Sequence, residues 1–119
     1  MNLSKFKFAC CIYPATPLLD SATLNNAFRK FHKSNFDSLI GITKYDYPVL
    51  RALKTRNNKV KFVWPLYKNK RSQETPDLYH DCGYFYFFNI EKFIKTKKLI
   101  SNNTGFFEIP RFKAIDIDD

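Results

Sequence analysis

Phe6 to Tyr13 is an apolar run interrupted only by Lys7 and stopped by Pro14 and Pro17. That is the pattern of a central strand, buried on both faces, that ends in a loop. Asp20 is placed to cap a helix in which Leu24, Ala27, Phe28 and Phe31 recur at i, i+3, i+4 and i+7, so one helical face packs on a sheet. Asn35 ends that helix, and Ser38 to Thr43 reads as a second short strand. Strand, helix, strand predicts a right-handed parallel crossover and an α/β layered fold.

Beyond Tyr47-Pro48 the period changes. Val49 to Leu53, a turn at Arg56-Asn57-Asn58, and the alternation of Val60, Phe62 and Trp64 with Lys61 and Val63 predict an antiparallel excursion, a small β insertion in the main fold. Tyr67 to Asp81 has Pro76, charges and no period, and is expected to be a long loop of the kind that carries function. Gly83 to Phe88 reads as a buried aromatic strand. Asn89 caps a helix with Ile90, Phe93 and Ile94 inward, and Phe106 to Ile109 and Phe112 to Ile117 read as two further strands.

A chain of 119 residues with 45% hydrophobic content can bury one core but not two independent ones. No apolar run approaches the ~20 residues of a membrane helix, so no membrane partner is expected. Cys10, Cys11 and Cys82 form an odd set without zinc or disulfide spacing, which suits a reducing cytoplasm. The formal charge is +9, from 20 basic and 11 acidic residues. The basic residues are scattered from Lys5 to Lys113, with one cluster at Lys92 to Lys98 that reads as a solvated helix face. Clustered charge is what binds phosphodiester chains, so nucleic acid is not the expected partner; an RNA-binding domain is the weakest of three readings.

Asp116 and Asp118 flank Ile117, and on an extended strand their carboxylates share one side with Cα atoms about 6.5 to 7 Å apart. A hard cation such as Mg2+ could sit between them; an acidic tail repelling itself is the other reading. Arg71 and His80-Asp81 flank the long loop. The planar fork of an arginine suits a carboxylate or phosphate, although from the residues alone Arg71 reads more readily as a solvated surface arginine. His80 reads as an imidazole with a satisfied hydrogen bond, and His32 as structural. All three cysteines read as small buried hydrophobes rather than nucleophiles.

Taken in order, several blocks resemble one family, the cytidylyltransferases that activate nine-carbon acidic sugars, and within it the pseudaminic acid branch. Cys10-Cys11-Ile12-Tyr13-Pro14-Ala15-Thr16-Pro17-Leu18 is similar to the family's strand and C-I-Y-P-T-A-P-type loop. Tyr47-Pro48 followed by Arg51-Ala52-Leu53-Lys54 resembles its Y-P-x-x-R-A-L-K stretch. Arg71-Ser72-Gln73 and Tyr79-His80-Asp81-Cys82-Gly83-Tyr84-Phe85-Tyr86 resemble its R-S-Q and Y-H-D-A-G-x-F-Y blocks, and Pro110-Arg111 with Asp116-Ile117-Asp118 its P-R-x-x-x-x-D-I-D element.

The resemblance implies an incomplete three-layer α/β/α nucleotide-diphospho-sugar transferase fold, Rossmann-like, spanning residues 1–119 as a partial domain, with residues 48–64 as a dimerisation insertion. It implies CMP transfer from CTP to pseudaminic or sialic acid with release of pyrophosphate. By the same resemblance Asp116 and Asp118 are catalytic and hold Mg2+, while Tyr13, Pro14, Ala15, Thr16, Arg71, Gln73, His80 and Asp81 bind substrate. His80 and Cys82 stand where the sialic acid enzymes usually have Arg and Asn, which favours the pseudaminic branch. Nothing here matches the family's N-terminal Gly-rich loop. A homodimer, a separate N-terminal fragment and inactivity of the isolated chain are therefore expected; the alternative is a non-catalytic sugar- or nucleotide-binding remnant working as a dimeric module.

Overall fold

A computed structural model describes residues 5–115. The described chain divides into two compact units, one running up to Thr43 and resuming at Asp81, the other Lys44–His80. The elements in order are β1 (Phe8–Ile12), α1 (Ser21–Lys33), β2 (Ser38–Lys44), β3 (Leu53–Arg56), β4 (Lys59–Phe62), β5 (Tyr79–Asn89), α2 (Ile90–Thr96) and β6 (Thr104–Glu108). Short 3-10 turns lie at Val49–Arg51, Pro65–Tyr67, Ser72–Glu74 and Arg111–Lys113.

The first unit is built on a four-stranded mixed sheet in the order β1-β5-β2-β6, with β1 antiparallel to β5 and β2 parallel to β6. The class is thus α/β, as expected, but two details differ. β5 lies between β1 and β2, so the strands flanking α1 are not neighbours. β1 is an edge strand among the described residues, and Cys10, Cys11 and Ile12 are exposed rather than centrally buried. The central position belongs to β5, whose run from Tyr84 to Phe87 is buried on both faces.

Consecutive strand residues point to opposite faces. Phe87 meets Phe28 and Phe31 of α1, while Phe88 meets Phe93 of α2 at 5.0 Å between ring centroids. The helix spacing read from Leu24, Ala27, Phe28 and Phe31 is the face that packs, with Ala27 and Phe31 in the core beside Leu39, Phe85 and Ile109. Full burial of side chains of this size contributes about 1.5 to 3 kcal/mol each.

Both predicted helix caps are made. The Asp20 carboxylate accepts from the Thr23 N–H at 2.7 Å, and the Asn89 side chain from the Lys92 N–H at 3.1 Å. The Thr23 N–H, helped by Lys113, holds the Asp20 carboxyl below the usual carboxylate range. Its folded value is lowered, so the stabilisation is present above the unfolded pKa of about 4 and is lost as pH falls through the lower folded value. α1 ends at Lys33 with Ser34 as its C-cap, not at Asn35.

The other corrections lie at strand ends. β5 begins at Tyr79 instead of Gly83, shortening the expected loop, which itself contains the turn Ser72–Glu74. The strand expected over Phe112 to Ile117 is absent from its described part: Pro110 fixes φ near −55° and the chain turns at Arg111–Lys113. Asp116 and Asp118, expected on that strand, lie outside the described residues.

In the second unit, β3 and β4 form a hairpin closed by Asn57 and Asn58 at φ 49° and 58°. Two positive-φ residues define the type I′ turn, which matches strand twist and which Asn tolerates. The predicted antiparallel excursion is therefore present, with β4 ending at Phe62 before Trp64. Its register sets Lys54 opposite Lys61 and Arg56 opposite Lys59. Like charges directly opposite oppose pairing by an amount on the order of 0.2 to 1 kcal/mol per pair.

Gly105 of β6 tests the packing of the first unit. A Cβ there would lie 2.3 Å from the Phe36 ring, whereas at Gly41 the nearest atom, the Cys82 sulfur, is at 3.0 Å. Gly105→Ala is expected to cost about 1 to 3 kcal/mol by overpacking, and Gly41→Ala less. Urea unfolding of both variants measures this; a neutral Gly105→Ala would mean that Phe36 does not pack there.

Candidate functional site

At the loop end of the first unit's sheet, β1 ends at Ile12 beside β5. Cys11 is opposite Tyr86 and Ile12 opposite Phe85, and the pairing continues one step with the Tyr13 N–H donating to the Tyr84 carbonyl at 3.1 Å. Pro14 then turns the chain, and the Thr16 hydroxyl donates back to the Tyr13 carbonyl at 3.1 Å. The predicted loop Tyr13, Pro14, Ala15, Thr16 is thus a defined turn at the end of a strand, with Tyr13 about half exposed.

Across the ladder stands a cluster that orders Asp81. Its carboxylate accepts the Tyr86 hydroxyl at 2.7 Å and the Gly83 N–H at 2.8 Å. Gly83 has φ 67°, a conformation glycine adopts without a Cβ penalty, and that twist turns its N–H back onto the carboxylate two residues earlier. The Tyr13 ring lies 5.3 Å from the Tyr86 ring. Burial, and then the hydrogen bond to Asp81, push the Tyr86 phenol far above its ordinary range, so it remains a neutral donor. The structure therefore brings together Tyr13, Thr16 and Asp81 of the predicted set, and adds Tyr86.

Tyr84, two residues from Tyr86 and on the same face of β5, anchors a different segment. Its hydroxyl donates to the Lys113 carbonyl, has the Ile115 carbonyl at 3.2 Å and accepts the Ile115 N–H at 3.1 Å. It fixes the chain immediately before Asp116. Sequence reading missed both tyrosines as functional residues. The available signal was a pair of hydroxyl-bearing rings in a buried strand otherwise made of Phe, since a buried Tyr hydroxyl finds a polar partner.

Arg71, Gln73 and His80 belong to the second unit. Arg71 and Glu74 close a turn reciprocally, the Arg71 N–H donating to the Glu74 carboxylate at 2.9 Å and the Glu74 N–H to the Arg71 carbonyl at 3.0 Å. The Arg71 side chain is at the surface. Gln73 lines a cavity of about 490 Å³ with Tyr45, Asp46, Tyr47 and Thr75 among its walls. Lys44 and Asp77, also on that cavity, form an ion pair at 2.7 Å. His80 is half-buried and its ring lies 4.7 Å from that of Tyr45.

Among the described residues no three His, Cys, Asp or Glu side chains are grouped to hold a metal ion. Asp116 and Asp118, the predicted ligands, lie outside them. Cys10 and Cys11 are exposed rather than buried, being on the sheet edge, while Cys82 is buried as expected. Neighbouring chain partly dehydrates the Cys10 thiol and pushes its pKa up to about 11, against a smaller opposing effect of the Tyr86 backbone. A thiol so raised is protonated at neutral pH and is not an activated nucleophile. In a Cys11→Ser variant, Cys10 should alkylate about tenfold more slowly at pH 8 than a model thiol of pKa 9.0, the smaller thiolate fraction being partly offset by the greater nucleophilicity of a more basic thiolate, with the rate still rising towards pH 11. Iodoacetamide labelling followed by mass spectrometry checks this.

These features define a mixed α/β protein with an ordered carboxylate and two aromatic hydroxyls at the loop end of its sheet. The chain is a homologue, over nearly its whole length, of the pseudaminic acid cytidylyltransferases. Proteins of that name from two strains of Campylobacter jejuni subsp. jejuni are 31% identical to it over 114 residues, covering 95% of this chain and 49% of each relative. A Helicobacter pylori protein named pseudaminic acid cytidylyltransferase and UDP-2,4-diacetamido-2,4,6-trideoxy-beta-L-altropyranose hydrolase is 28% identical over 118 residues, covering 98% of this chain and 23% of that protein. The chain thus spans about half the length of the Campylobacter relatives. No protein-family model matches it. Among the described residues, no helix is long and apolar enough to cross a membrane.

Proposed function

We propose that this chain is the sugar-side part of a CTP-dependent cytidylyltransferase acting on pseudaminic acid in the cytoplasm. The observation that carries the reading is the 114-residue match to proteins of that name, which takes in the ordered Tyr13, Asp81 and Tyr86 cluster. Phe87 and Phe88 meeting different helices supports the three-layer, Rossmann-like arrangement for the whole enzyme. In the reaction the anomeric hydroxyl oxygen of the sugar forms a bond to the α-phosphorus of CTP. The bond to the bridging oxygen breaks, pyrophosphate leaves, and the hydroxyl proton goes to solvent or a nearby base.

The chain's own residues supply binding and orientation. Asp81, held by Tyr86 and Gly83, presents a fixed acceptor to sugar hydroxyls, and the Tyr13 to Thr16 turn bounds the same end of the sheet. Arg71 suits the sugar carboxylate through its two parallel donors, Gln73 reads a polar substituent, and His80 is a further contact. Asp116 and Asp118 are two hard oxygen donors, a set that fits Mg2+, which takes its remaining ligands from phosphates and water. When bound, that ion neutralises charge developing on the phosphates. Tyr84 holds the chain that leads into these carboxylates.

The test is pyrophosphate release from CTP and pseudaminic acid with Mg2+, first with the chain alone, then with the N-terminal half of a Campylobacter relative added. Turnover is expected only in the mixture, and Asp118→Ala should reduce it by about a hundredfold or more. Silence in both mixtures from folded protein would favour a non-catalytic binding remnant. Sialic acid as acceptor reports the sugar preference.

The second part of the proposal is a homodimer through the hairpin. Leu53, Thr55, Val60 and Phe62 share one face of it, and Leu53 and Val60 are each more than half exposed. Leu53→Asp with Val60→Asp should convert a dimer to a monomer in sedimentation; an unchanged sedimentation coefficient would place the interface elsewhere.

A further inference from the structure

The opposite face of the same hairpin has a composition that dimerisation does not explain. Directly opposed residues share a face, as do residues two apart along a strand. The pairs Lys54 with Lys61 and Arg56 with Lys59 therefore put four cations on one side. None of the four has an ion pair or side-chain hydrogen bond among the described residues. A concavity of about 530 Å³ is lined by Lys54, Thr55, Arg56, Asn57, Lys59 and Lys61, with no carboxylate in its wall among the described residues. The two positive-φ asparagines fix the turn from which this array projects.

We propose that the cationic face of the β3–β4 hairpin binds a compact oligophosphate anion. The array measures about 6.5 to 7 Å along each strand and about 4.5 to 5.5 Å between them at the Cα atoms. One anion carrying several closely spaced charges can engage all four cations at once; a single carboxylate or orthophosphate cannot. Lysine ammonium groups act as point charges for phosphate, and Arg56 adds a planar fork. Single-stranded nucleic acid is held by basic grooves together with aromatic platforms, and among the described residues no aromatic side chain lines this concavity. Bound phosphate would also offset the repulsion across the two like-charged pairs. The site is independent of the catalytic reading, since it uses neither the carboxylates nor a metal.

The experiment is calorimetric titration of the 119-residue chain with inorganic triphosphate in EDTA, at about 50 mM and about 200 mM salt. Saturable binding is expected that weakens at the higher salt and exceeds orthophosphate by about tenfold or more. Lys54→Gln with Lys61→Gln, and separately Arg56→Gln with Lys59→Gln, should each weaken it about tenfold. Lys92→Gln with Lys98→Gln, in the other basic cluster, should leave it unchanged. Circular dichroism confirms that the variants, which relieve repulsion at exposed positions, remain folded. Absence of saturable binding by folded wild-type chain, or an equal loss in the Lys92 and Lys98 variant, overturns the proposal. So does a single-stranded oligonucleotide that binds more tightly than triphosphate and gains affinity with length.

Discussion

The structure of the first unit depends on burying β5 on both faces. Phe85 and Phe87 supply the apolar side against α1, and Tyr84 and Tyr86 supply the other. A tyrosine in that position brings a hydroxyl into a place where an unpaired polar group costs on the order of 1 to 3 kcal/mol. Each hydroxyl therefore needs an anchor. Tyr86 finds Asp81 and Tyr84 finds the backbone from Lys113 to Ile115. Satisfying the core, fixing the Asp81 carboxylate and holding the Lys113 to Ile115 backbone are one event.

The second unit solves a different problem. A two-stranded hairpin is marginal by itself, and this one separates its residues cleanly into an apolar face and a cationic face. The separation follows from register alone: with a type I′ turn at Asn57 and Asn58, a slip by one residue would mix the two faces. Such a hairpin gains stability from whatever covers its apolar side and from whatever neutralises its charged side. A dimer contact and an anion on opposite faces are compatible occupants for that reason.

How much of this was legible in the sequence depended on whether a signal was local. The cap residues Asp20 and Asn89 and the period of α1 were correct because each is decided within a turn or two. Strand order was not local: the run Phe6 to Tyr13 is apolar enough to be central, yet β5 takes that place because its rings fill both faces. The described part of the last expected strand, up to Ile115, differs for a related reason. Phe112 to Ile117 alternates like a strand, but Pro110 and the Tyr84 hydroxyl draw the Lys113 to Ile115 backbone into a turn instead of a ladder. Of the site, the turn after β1 and Asp81 could be named from motif resemblance. Tyr86 could not be assigned until the ladder put it beside Tyr13 and its hydroxyl on Asp81.

The hydrogen-bonding polarity of these groups bears on what they can recognise. Because Tyr86 stays protonated, its hydroxyl is the donor to Asp81, and the carboxylate oxygens act as acceptors. A fixed acceptor selects hydroxyl and amide N–H groups and repels carboxylates. The Arg71 guanidinium, at the surface of the second unit, has donors and no acceptor and selects the reverse. A nine-carbon acidic sugar carries both kinds of group, a row of hydroxyl or acylamino donors and a single carboxylate. On the reading proposed above, Asp81 in the first unit matches the donors of such a sugar and Arg71 in the second unit matches its carboxylate.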